Sequence, residues 1–122
     1  MLIGQTMVVA VQSGSATTTL YTPWISSWGT SAVFSYEIMA IGGNAASPPS
    51  FVAKLQTKNT EDADPSASTV IATDSTRTTA STFSFPTSNN IKELVRLQFN
   101  LTTTAAVGFA HVRALNPSWQ TN

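Results

Sequence analysis

The chain has 122 residues, a length that suits one domain with one core. It contains no cysteine, which excludes a disulfide framework, a thiolate nucleophile and a cysteine metal site. Six Lys and Arg balance six Asp and Glu, and zero net charge argues against nucleic acid, whose phosphates need a surplus of cations.

The first residues, MLIGQTMVVAVQSGSA, superficially resemble a signal peptide. They lack a basic leader, and Gly4, Gln5 and Thr6 interrupt the apolar run, so the expectation is a strand over 6–12 and synthesis in the cytoplasm without export. A second strand is expected over 17–22. The segment YTPWISSWGT follows and places Tyr21, Trp24 and Trp28 in a loop-like stretch with Pro23 and Gly29. In AVFSYEIMAI, Phe34, Tyr36, Ile38 and Ala40 share one face, while Val33, Ser35, Glu37, Met39 and Ile41 share the other. Both faces carry apolar residues, so this strand is expected to be covered on both sides.

After GGNAASPPS comes FVAKLQTK, with Phe51, Ala53 and Leu55 on one face and Lys54, Gln56 and Lys58 on the other. Shorter strands are expected over 68–73 and 80–85. In ELVRLQFNLT, Val95, Leu97, Phe99 and Leu101 point inward, and Arg96, Gln98 and Asn100 outward. One helical turn at 90–93, capped by Asn90, competes with the start of that strand. GFAHVRAL continues the alternation, and NPSWQTN carries Trp119. No run approaches the ~18 apolar residues of a membrane-spanning helix, so no membrane partner is expected.

About eight short strands broken by Gly, Pro, Asn and Ser clusters, with no βαβ alternation, predict an all-β fold. The expectation is a single antiparallel β-sandwich over 1–122, jelly-roll-like in its strand number.

The stretch LQTKNTEDAD is the first test for chemistry. An EF-hand loop counted from Asn59 needs a Gly sixth and a Glu twelfth; Asp64 and Val70 stand there instead. Asn59, Glu61, Asp62 and Asp64 are therefore only weak candidates for an irregular cation site, and a solvated turn ended by Pro65 is the plainer reading. No metal and no cofactor are expected. His111 is the only histidine, which speaks against zinc. There is no G-x-S-x-G elbow for a serine nucleophile, no P-loop and no G-x-G-x-x-G. His111 therefore reads as a hydrogen-bonded or interface residue of a strand. Glu37 could form a carboxylate pair for glycoside chemistry with Glu93 or Asp74. A cross-strand partner, Arg96 or Arg113, fits it better. The sequon Asn100-Leu101-Thr102 is expected to be incidental, since no export signal is read.

Charged residues make up 10 % of the chain, against about 25 % in ordinary proteins. Thr (19) and Ser (15) fill the gap. A neutral, hydroxyl-rich surface repels its own copies weakly. The expected function is thus a non-enzymatic structural subunit of a symmetric assembly, a coat or decoration protein of a virus or phage particle, located in the virion. Its partners would be further copies of itself, as a trimer or higher ring, and other subunits of the particle. The expected contact residues are Tyr21, Trp24, Trp28 and Trp119, together with Met1, Leu2 and Ile3; on this reading, replacing Trp119 or deleting 116–122 weakens assembly. The alternative is a carbohydrate-binding β-sandwich module that stacks a glycan on the loop aromatics.

Overall fold

The computed structural model describes residues 6–11, 16–43, 49–61, 69–86, 88, 90–103, 108–115 and 117–120. Among them are eleven strands and no helix: β1 (Thr6–Val11), β2 (Ala16–Tyr21), β3 (Ile25–Ser26), β4 (Ser31–Val33), β5 (Ser35–Gly43), β6 (Ser50–Lys58), β7 (Thr69–Thr73), β8 (Ser81–Ser84), β9 (Leu94–Thr103), β10 (Gly108–Ala114) and β11 (Ser118–Gln120). The protein is all-β, as its period-two alternation predicts.

One sheet has the order β1-β10-β5-β8, and a second has the order β2-β9-β6-β7, with β3 also on β9. A two-stranded ribbon joins β11 to β4. Every pairing is antiparallel. Tyr36, Ile38, Ala110, Val112 and Ala114 of the first sheet and Phe51, Ala53, Leu55, Val95, Leu97, Phe99 and Leu101 of the second belong to a single buried cluster. Tyr36 joins the two sets: its ring centroid lies 5.9 Å from that of Phe51 and 5.8 Å from that of Phe99. Each such side chain contributes about 1.5–3 kcal/mol on burial, so this cluster dominates the stability of the fold.

Three sequence expectations change. AVFSYEIMAI, expected as one strand, breaks at Phe34 into β4 and β5, which lie in different sheets. His111 pairs with Ala40 but Val112 with Ile38, which leaves Met39 as the extra residue of a β-bulge. The bulge reverses the alternation beyond it, so Ile41 rather than Ala40 packs against the core. The helical turn at 90–93 does not form. Asn90 has φ 61°, a left-handed state that Asn tolerates, and the chain turns there directly into β9.

The ends of the strands position the site. Gly108, which begins β10, lies so close to Thr103 and Pro49 that an added Cβ would sit 2.8 Å from Thr103 Cγ2. Gly43, Ser50, Thr103 and Gly108 therefore mark one end of the sheets. Tyr21, Lys58 and Leu94 mark the other end of the second sheet, where the tryptophan-bearing segment leaves β2.

Candidate functional site

The segment from Thr22 to Thr30 runs along β9 and is held to it by both of its ends. The Thr22 N–H donates to the Leu97 carbonyl at 3.0 Å, and the Thr22 hydroxyl oxygen accepts from the Leu97 N–H at 2.9 Å. Threonine therefore supplies the acceptor that a continuing strand would have offered, while Pro23, which has no N–H, ends the ladder. Ile25 and Ser26 pair with Val95 and Leu94, and Ile25 is buried in the core. The Ser27 N–H donates to the Glu93 carbonyl at 2.9 Å, and the Ile91 N–H to the Thr30 carbonyl at 3.2 Å. Between these anchors Trp28 stands 74 % exposed. It is the most exposed large apolar side chain among the described residues.

Beneath the segment, the Arg96 guanidinium lies between two aromatic rings. Its central carbon is 3.9 Å from the Tyr21 ring centroid and 4.3 Å from that of Trp24. Its Nε donates to Gln56 Oε1 at 2.9 Å. Lys58 Nζ lies 5.1 Å from the Trp24 centroid. The Tyr21 hydroxyl accepts from Gln98 Nε2 at 3.3 Å. Each cation–aromatic contact contributes about 0.5–2 kcal/mol, more where water is excluded, and Arg96 is only 6 % exposed. The Trp24 indole N–H is buried with no acceptor among the described residues.

Arg96 does lie on the outward face that the alternation assigns it, yet it is covered. The cover comes from residues more than seventy positions earlier, and no local pattern announces it. Tyr21 and Trp24 thus pack on Arg96, although Tyr21 stays 42 % exposed, and Trp28 is the most exposed ring of the segment. Trp119 also packs on its own domain: β11 pairs with β4, and the Trp119 ring meets Phe34 edge-on at 5.7 Å and 80°. Met1, Leu2 and Ile3 lie outside the described residues.

Only two of the four weak cation candidates belong to the described residues. Asn59 is half-buried and Glu61 exposed, while Asp62 and Asp64 lie outside the described residues. Among the described residues no group of three His, Asp or Glu stands together to hold a metal. His111 sits in β10 opposite Val8 and Ala40. Glu37 meets Arg113, whose Nε donates to Glu37 Oε1 at 2.6 Å; Arg96 faces Gln56 instead. Glu93 uses its carboxylate to accept from the Thr60 N–H at 2.9 Å.

Asp74 has a role that the sequence did not signal. It accepts a hydrogen bond from the buried Tyr36 hydroxyl and two from Arg77, at 3.2 Å from Nε and 3.1 Å from Nη2. Burial pushes the Asp74 carboxyl up, but the hydrogen bonds from Arg77 and Tyr36 outweigh this and hold it below the ordinary value. Burial, reinforced by the Asp74 carboxylate, pushes the Tyr36 phenol well above its ordinary range. Arg77 also lies 4.1 Å from the centroid of the Phe83 ring. All three polar groups satisfy one another, as a structural clasp does. No protein-family model and no curated protein matches the chain.

Proposed function

We propose that the chain is a non-enzymatic structural subunit of a symmetric assembly, a coat or decoration protein of a virus or phage particle, that works by self-association. The observation that carries the reading is Trp28, an exposed ring held on a segment fixed at both ends. Tryptophan is among the residues most enriched at the energetic centres of protein interfaces. A backbone already fixed in place has less freedom to lose when its ring binds.

The strand order supports the fold on which the reading rests. β1 pairs with β10, β2 with β9, β5 with β8 and β6 with β7, and these nested pairs alternate between the two sheets. A jelly-roll sandwich has this winding, and jelly rolls recur in viral coats and in lectins. The step from fold to particle is one of analogy. The neutral, hydroxyl-rich composition adds to it, since such surfaces come together with little repulsion. The neighbours would be further copies in a trimer or higher ring, and other subunits of the particle.

Light scattering after size exclusion tests this directly. The expected mass is a discrete multiple of 12.9 kDa, shifted toward the monomer in Trp28→Ala. A clean wild-type monomer would sink self-association. The second reading, a glycan-binding β-sandwich, draws on the same exposed ring, which could stack on a sugar. Tyr21 and Trp24 favour it less, because each has the Arg96 guanidinium against its ring. Glycan binding by a monomer, lost in Trp28→Ala, would favour that reading.

A further inference from the structure

Hydrogen bonds fix the backbone of the Trp28 segment at Thr22 and Ser27, β3 pairs with β9 between them, and two side chains add to this hold. One is Ile25, in the core. The other is Trp24, whose ring rests on Arg96. The Arg96 guanidinium also holds Tyr21 on its other side and is itself oriented by Gln56 from the neighbouring strand. A planar guanidinium can stack on two rings at once, whereas a lysine ammonium is a point charge that cannot.

We propose that Arg96 is the positioning residue of the Trp28 contact. Stacked between Tyr21 and Trp24, it holds residues 21–27 against β9 and presents Trp28, on an ordered backbone, to a second copy of the chain. This rests on the reading of Trp28 as the contact residue. Arg96 itself is buried, so its effect passes through Trp24 and the backbone to Trp28. Without the stack, the segment would have to be ordered at the moment of association, and that ordering would weaken binding.

The test uses the full chain with two variants that break the stack from opposite sides. Arg96→Lys keeps the charge and loses the plane, and Trp24→Leu leaves Arg96 in place. Two quantities are measured: hydrogen exchange at the Thr22 and Ser27 amides, and self-association over a concentration series. Both amides are expected to exchange at least about tenfold faster while the amides of the β6–β9 ladder keep their rates. Self-association is expected to weaken by about tenfold. Unchanged exchange at Thr22 and Ser27 overturns the proposal. So does faster exchange without weaker association, because an ordered segment is then not needed. Loss of protection throughout the β6–β9 ladder also overturns it, since Arg96 would then be stabilising the sheet as a whole. Trp28→Ala separates the parent reading. If that variant associates as the wild type does, Trp28 is not the contact, and exchange at Thr22 and Ser27 still decides whether Arg96 holds the segment.

Discussion

The Tyr36 hydroxyl, on β5 of one sheet, donates a hydrogen bond to Oδ2 of Asp74, which directly follows β7 of the other. The backbone around Asp74 is fixed as well: its N–H donates to the Ala53 carbonyl at 2.9 Å, and Arg77 exchanges two hydrogen bonds with Phe51 at 2.8 and 2.9 Å. The connection after β7 is thereby laid along β6, and its one buried carboxylate reaches across to the opposite sheet. Tyr36→Phe keeps the ring and its packing and removes only the hydroxyl. We expect a loss of about 1.5–3 kcal/mol in urea unfolding, the range for a hydrogen bond to a charged group. Asp74→Ala should lose more, because it leaves a buried hydroxyl and Arg77 without their acceptor. Equal stability of Asp74→Ala and wild type would show that the clasp contributes nothing.

The same pair sets both limits of the pH range. The Asp74 carboxyl is held below its ordinary 3.8, so the stability it contributes is present above that pH and is lost as pH falls below it. The Tyr36 phenol is pushed above its ordinary 10.0, so its contribution is present below pH 10.0 and is lost as pH rises past that value. Melting temperature against pH should therefore fall at both extremes. Tyr36→Phe should flatten the alkaline limb and Asp74→Asn the acid limb. An alkaline limb that is unchanged in Tyr36→Phe would assign the loss to other groups.

Glu37 and Arg113 form a closer ion pair, at 2.6 Å, than Asp74 and Arg77 at 3.1 Å, yet a much weaker effect is expected. Both side chains are partly open to water, which screens them and solvates either one when its partner is lost. Glu37→Gln should cost less than about 1 kcal/mol by denaturant unfolding. A loss as large as that of Asp74→Ala would show that exposure is not what separates the two pairs.

Trp119 serves its own domain through the edge-on contact with Phe34. Trp119→Ala should lower the unfolding free energy by about 1–3 kcal/mol, as removal of a half-buried aromatic does. Melting temperature and native mass must be read together. A lower melting temperature at wild-type mass assigns Trp119 to the fold, and a lower mass at unchanged melting temperature assigns it to assembly, as the sequence reading expected.

The sequence made the long strands legible because their signal is local. FVAKLQTK became β6, ELVRLQFNLT became β9, and the expected spans 6–12, 17–22, 68–73 and 80–85 fall within a residue or so of β1, β2, β7 and β8. β3 and β11 were not foreseen, nor was β4 as a strand apart from β5. Two or three residues are too few to show a period, and what makes them strands is the edge they pair with. The aromatic segment stood out by composition, but which of its rings stays open did not. That depends on Arg96, whose charge reads as a solvated outward residue until Tyr21 and Trp24 are placed over it. Asp74 was likewise only one acid among six until the strand order brought it to Tyr36.

The nested pairing also governs how the chain can be made. β10 lies between β1 and β5, and Thr6 is matched with Arg113. The first sheet is therefore interrupted at its middle until residue 114 has left the ribosome. Until then β1 has no neighbour in its sheet, and β5 has a free edge. Pairings this distant in sequence close slowly, and exposed strand edges invite pairing with other chains. The hazardous interval is thus the time between the emergence of β1 and the arrival of β10.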